Sequence, residues 1–187
     1  MTRAAAALIS AVLLATPAAA QFAQKSDAPV DLTADELEVV NAQCLAIWRG
    51  SAEALQDTSR LRADILKIYN RPGAAKAGGK SGMGGSNCGP GVEKIEAQGN
   101  VFYVTPQQRV RGDLAIYEKV SDTIVMTGDV VAVQGKNVLR GERMVIHVKS
   151  GEAQMQTNAK GRNTPGRVRG VFYPSDNKPA GDSATPR

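Results

Sequence analysis

His147 is the one histidine, and Cys44 and Cys88 are the two cysteines, of this 187-residue chain. A protein-built zinc site needs three or four Cys, His or carboxylate ligands set close together, so this inventory argues against a metal centre. An imidazole without a matched nucleophile or acid is not a catalytic site, which leaves His147 as an exposed strand residue. No Gly-x-Ser-x-Gly elbow occurs. Gly78-Gly79-Lys80-Ser81 has the ending of a phosphate-binding loop but lacks the first glycine at the right spacing and a preceding strand. The carboxylates Asp64, Asp113 and Glu142 recur in register, as a β-solenoid polysaccharide enzyme would need on one face, but turn or strand-start roles explain them more simply. The reading is of a non-enzyme that uses no cofactor. The two cysteines offer one disulfide pairing in an oxidising compartment; the alternative is a buried thiol at Cys44 and a loop thiol at Cys88.

The compartment is indicated by the first twenty residues. Arg3, an apolar run from Ala4 to Ala15 and the small-residue ending Ala18-Ala19-Ala20 have the order of a secretory signal peptide. The run falls short of the roughly 20 residues that span a bilayer. No cysteine follows it until Cys44, which argues against a lipid-anchored N-terminus. Without Arg3 the chain keeps 22 basic against 18 acidic residues, a mild +4. With no basic stripe and no recognition motif, nucleic acid is a poor partner. Aromatic residues make up only 4% of the chain, too few for a stacking platform.

The elements come from a repeat. Leu32 to Asp35, Leu61 to Asp64, Val110 to Asp113 and Leu139 to Glu142 each read apolar, any, small, acidic, and Val168-Arg169-Gly170 keeps the first three positions. The small residues at 34, 63, 112, 141 and 170 are spaced by 29, 49, 29 and 29. The excess of 20 falls on the segment 71–91, which holds 8 of the 19 glycines and reads as an inserted loop. Gly50, Gly99 and Gly128 each lie 13 residues before a small marker. Around them every second residue is apolar or small, including Trp48, then Ile95, Val101 and Tyr103, then Ile124, Met126 and Val130. After the acidic markers Leu37 and Val39, Leu66 and Ile68, Ala115 and Tyr117, and Met144 and Ile146 continue the class. Period-two alternation means half-buried strands. Each repeat therefore supplies two strands of about 6 to 8 residues joined by a polar turn. The fold class is all-β, a roll of about 29-residue two-strand repeats. Composition leaves open whether its interior is a packed core or an apolar groove for an acyl ligand.

Ala34-Asp35-Glu36-Leu37, Leu61 to Tyr69, Ile95 to Val101, Val125 to Val130, Gln134 to Glu142 and Gly166 to Pro174, taken in order, resemble the LptA/OstA-like periplasmic lipopolysaccharide-transport family. The resemblance spans roughly Val30 to Pro174 and implies an open, twisted, single antiparallel β-jelly roll over 30–174. A flexible segment 21–29 precedes it and a disordered tail 175–187 follows. It implies a periplasmic carrier that holds lipid A acyl chains in the interior lined by Leu37, Val39, Trp48, Leu66, Ile68, Ile95, Val101, Tyr103, Tyr117, Ile124, Met126, Val130, Met144 and Ile146. The implied partners are lipopolysaccharide, an inner-membrane export complex, an outer-membrane translocon and further copies stacked head to tail. The first strand, Asp31 to Val40, is expected to meet the inner-membrane partner and the last, Val168 to Tyr173, the outer one. The column Thr33, Arg62, Arg111, Arg140 and Arg169 recurs once per repeat, and its arginines offer contacts to sugar phosphates at a groove rim or simple pairs with neighbouring acids. The alternative function is a ligand-free docking module of the cell envelope.

Overall fold

The computed structural model describes residues 28–73, 88–162 and 164–174. The expected signal peptide, most of the segment 21–29, most of the glycine-rich insertion and the tail 175–187 lie outside the described residues. Ten strands, all antiparallel, form a single sheet: β1 (Val30–Thr33), β2 (Glu36–Val40), β3 (Leu45–Gln56), β4 (Ser59–Pro72), β5 (Cys88–Val104), β6 (Gln108–Glu118), β7 (Thr123–Gln134), β8 (Asn137–His147), β9 (Ala153–Gln156) and β10 (Arg169–Val171). The order is β1-β3-β4-β5-β6-β7-β8-β10, with β2 beside β3 and β9 beside β8. Both edges of the sheet are thus formed by pairs of short strands, each pair covering the two halves of one long strand. The roll is open and does not close on itself.

The central strands are 11 to 17 residues long, about twice the expected length. The reason is that the repeat markers bend strands instead of ending them. The pairing register shifts between Arg49 and Ala52, Arg62 and Ile65, Gln98 and Val101, Arg111 and Leu114, and Thr127 and Val130. These irregularities line up as a crease across the sheet, with β2 and β9 on one side of it and β1 and β10 on the other. At the crease β3, β5 and β7 carry Gly50-Ser51, Gly99-Asn100 and Gly128-Asp129, every one of them at positive φ. Two successive left-handed residues turn an extended chain sharply, and glycine followed by a short polar residue is the least costly way to do so.

The acidic markers explain why the bend is stable. A Cβ on Gly50 would overlap the carboxylate of Asp35, one on Gly99 that of Asp64, and one on Gly128 that of Asp113. Each acid therefore fills the notch that a missing side chain leaves on the next corner. The Asp35 N–H also donates to the carbonyls of Arg49 and Gly50, at 3.0 and 3.1 Å. Asn100 Nδ2 donates to Asp64 Oδ2 at 2.9 Å. Glu142 takes the fourth place differently, accepting the Asn158 N–H at 3.0 Å. Asp64, Asp113 and Glu142 thus lie at the crease inside β4, β6 and β8, and Asp35 just before β2.

Strand pairing also continues into the segment read as an inserted loop, since β4 runs to Pro72, which pairs with Cys88 at the start of β5. Cys88 forms a disulfide with Cys44, its Cα 5.4 Å away. Cys44 follows a 3₁₀ turn at Asn41–Gln43 and accepts the Asn70 N–H on its carbonyl at 2.8 Å. The bridge ties β3 to β5 across the end of β4.

Two stability changes follow. Gly128→Ala is expected to lower unfolding free energy in urea by about 2 to 4 kcal/mol, through left-handed strain and overlap with Asp113. Adding Asp113→Ala should recover only the overlap part, so full recovery would refute the backbone contribution. Replacing both cysteines by serine is expected to cost about 2 to 4 kcal/mol by freeing a long loop in the unfolded chain, as read from the same urea midpoints.

Candidate functional site

Residues directly opposite in an antiparallel pair point to the same face, so register alone places each predicted interior side chain. On one side of the crease the first row runs Leu37, Trp48, Leu66, Ala97, Ala115, Met126, Met144 and Met155 from β2 to β9. The second row runs Val39, Ala46, Ile68, Ile95, Tyr117, Ile124, Ile146 and Ala153 over the same strands. Beyond the crease Val101 pairs with Gly112 and Val130 with Gly141. A further row carries Tyr103 between Leu61 and Val110 and continues through Ala132 to Leu139. All fourteen predicted residues lie in these three rows and two pairs.

The rows differ in burial along their length. Leu66, Ile68, Val101, Met126, Val130, Met144 and Ile146 are buried. Trp48, Ile95, Tyr103, Tyr117 and Ile124 are half-buried. Leu37 and Val39 remain 49% and 43% exposed, because β2 is an edge strand with no neighbour on its outer side. The interior is therefore continuous and apolar, closed at its middle and open at the β2 end. Tyr117 carries a polar group out of it, its hydroxyl donating to Asp122 at 3.2 Å; burial first, and then that carboxylate, push the phenol above its ordinary value.

The two halves touch through methionines. A Cβ on Gly112 would meet Met126, and one on Gly141 would meet Met155, at 2.7 Å in both cases. The long, unbranched thioethers thus lie in notches of bare backbone on the adjacent strand, just across the crease, where they fill space that stiffer side chains would not. Met155 escaped the sequence reading because β9 lies past the last complete repeat. Val110, Leu61 and Leu139 were visible only as repeat markers, although they form an interior row.

The arginine column is real but faces outward. Thr33, Glu53, Arg62, Phe102, Arg111, Val131, Arg140 and Arg169 form one cross-strand row on the face opposite the interior, so it borders no interior groove. Arg62 pairs with Glu53 at 3.3 Å and Arg111 with Asp129 at 2.8 Å. Arg140 and Arg169 stand opposite each other without an ion pair among the described residues. A shallow outer groove of about 380 Å³ lies beside this row, between Leu55, Thr58, Arg60, Arg62, Phe102 and Val104. No group of three or more His, Cys, Asp or Glu that would hold a metal occurs among the described residues, and His147 is exposed at the end of β8.

Comparison with known proteins agrees with this geometry. Residues 31–152 match the profile described as LptA/(LptD N-terminal domain) LPS transport protein. An uncharacterized protein of Rhizobium meliloti (strain 1021) is 31% identical over 148 residues, covering 78% of this chain and 75% of its own. The fold is similar to the crystal structure of LptH, described as the LptA homologous periplasmic component of the conserved lipopolysaccharide transport device from Pseudomonas aeruginosa. The TM-score is 0.60 at 15% identity, over 79% of this chain and 96% of that one.

The methionine notches give a measurable coupling. Gly112→Ala is expected to cost about 1 to 3 kcal/mol of stability by expelling Met126. In a Met126→Ala background the same change should cost less, the remainder coming from the Thr127 carbonyl, which a Cβ there would meet at 3.0 Å, and a double-mutant cycle with no coupling would refute the methionine contact.

Proposed function

Because the chain belongs to the LptA/(LptD N-terminal domain) LPS transport protein family, we propose that it is a periplasmic carrier that holds the acyl chains of lipid A in its apolar interior. In this reading it bridges an inner-membrane export complex and an outer-membrane translocon. The observation that carries the reading is the continuity of the two long interior rows over eight strands, from β2 to β9, on one face. Acyl chains laid along such rows would gain roughly 25 cal/mol per Å² of apolar surface removed from water.

Bridging is supported by the edges. β1 and β2 at one end and β9 and β10 at the other have unpaired backbone groups on their outer sides, the form that accepts an added strand. The proposed assignment gives β1 and β2 to the inner-membrane partner and β10, with the exposed Phe172 and Tyr173 after it, to the outer one. Head-to-tail pairing of this kind builds filaments, not closed dimers. The signal-peptide pattern at 1–20 supports export to the periplasm. Movement of the lipid needs no catalytic residue here, and the energy would come from the inner-membrane complex.

One observation favours the ligand-free docking module: Val101, Val130 and Ile146 have no solvent exposure, as in a packed core. A photo-crosslinking residue at Val101, irradiated in Gram-negative cells, separates the two. A lipopolysaccharide adduct at Val101, absent at the exposed crease residue Asn100, is expected of the carrier. Absence of adducts at Val101, Leu66 and Met126 alike would leave the docking module.

A further inference from the structure

Trp48 is the single tryptophan of the chain. Its Nε1 is the one buried side-chain nitrogen or oxygen without a hydrogen-bond partner among the described residues. An indole N–H can only donate, and a buried donor left unpaired costs about 1 to 3 kcal/mol. Its flanking partners in the interior row, Leu37 and Leu66, have no acceptor on their side chains. The hydrophobic cluster it packs against is made of Ala, Val, Leu, Ile, Met and Tyr103. A trapped water would need two or more polar partners, which this apolar row does not supply.

We infer that Trp48 Nε1 donates a hydrogen bond to the ester or amide carbonyl that joins an acyl chain to the head of a lipid lying in the interior. The inference rests on the carrier reading and adds an orientation to it. The acceptor must belong to an otherwise apolar molecule, because only such a molecule enters this row, and the carbonyl is the acceptor nearest the chains of an acylated lipid. Trp48 is also well placed along the fold. It lies half-buried on β3, beside the exposed Leu37 of the β2 edge, where the closed interior gives way to the open end. An indole is apolar over its rings and polar at one atom, which suits such a boundary. The chain linkage would thus sit at the β2 end, with the chains directed along the row toward β9. Trp48 is a specificity residue in this scheme: it favours acyl lipids over molecules of equal hydrophobicity that lack the carbonyl.

The test uses the full chain and two probes of equal chain length, dioctanoyl phosphatidylglycerol and its dioctyl ether counterpart, whose ether oxygens are poor acceptors. The single indole N–H gives one signal in a ¹H–¹⁵N spectrum. It is expected to move downfield with the ester lipid and to stay nearly in place with the ether. By calorimetry the ester should bind about threefold to tenfold more tightly, the equivalent of one neutral hydrogen bond. Trp48→Phe, which keeps an aromatic ring and removes the donor, should bind both lipids equally. If both lipids bind the native chain with equal affinity and an unmoved indole signal, the hydrogen bond is refuted and the carrier reading stands. If neither these lipids nor purified lipopolysaccharide binds, the carrier reading falls and this inference with it.

Discussion

The whole architecture depends on a small void. A long β-strand of ordinary residues cannot fold sharply at its middle, because the side chains at the bend collide with each other and with the neighbouring strand. In this chain three strands carry glycine at that position, and a carboxylate from the preceding strand occupies the space thus vacated. The acid has a steric role as well as a polar one, since it keeps the notch from being an empty gap in the sheet and, at Asp64, also accepts from Asn100. Once three successive corners are locked in this way the sheet has a crease, and a crease brings two halves of one face together. The interior, the edge strands and the outward arginines are all consequences of where that line falls.

The interior that results is built of unequal parts. Near the crease it is lined by Ala63, Gly112 and Gly141, which allow the halves to come close. Methionines from the other half occupy the room that remains. A core filled by branched side chains would be rigid and would have one arrangement. Here branched side chains such as Leu66, Val101, Val130 and Ile146 share the core with the unbranched Met126 and Met144, which adapt to irregular space. Met126 and Met144 are themselves fully buried, so these adaptable side chains are part of the packed core.

Much of this was legible in the sequence because a 29-residue period repeats physical requirements as well as letters. The glycine and small-acidic markers, met as separate patterns, prove to be the two sides of one contact between adjacent strands, as with Asp64 and Gly99. Interior membership followed from alternation, which runs unbroken through the bends of β3, β5 and β7 but shifts by one residue at those of β4, β6 and β8, from Ala63 to Leu66, Gly112 to Ala115 and Gly141 to Met144. What the pattern hid was the role of the acidic markers: read as turns or strand starts, Asp64, Asp113 and Glu142 prove to lie inside β4, β6 and β8, which are 14, 11 and 11 residues long. The outward face of Arg62 is implicit in its position between Leu61 and Ala63, both on the interior side, whereas periodicity alone carries no side. The cysteine pairing was open because its decisive fact, that β5 begins beside Pro72 at the end of β4, belongs to the register and not to spacing.

The corner contacts also have a direction. Each acid comes from earlier in the chain and is received by a later strand: Asp35, in the bend between β1 and β2, by Gly50, Asp64 by Gly99, Asp113 by Gly128. At the far end Glu142 finds no such glycine corner and turns to the backbone of Asn158 instead. The sheet is thus a vector. Successive two-strand units repeat in one sense along it, each acid reaching toward the next corner. A sequence of local fillings, each of a single missing methyl, gives the molecule a head and a tail.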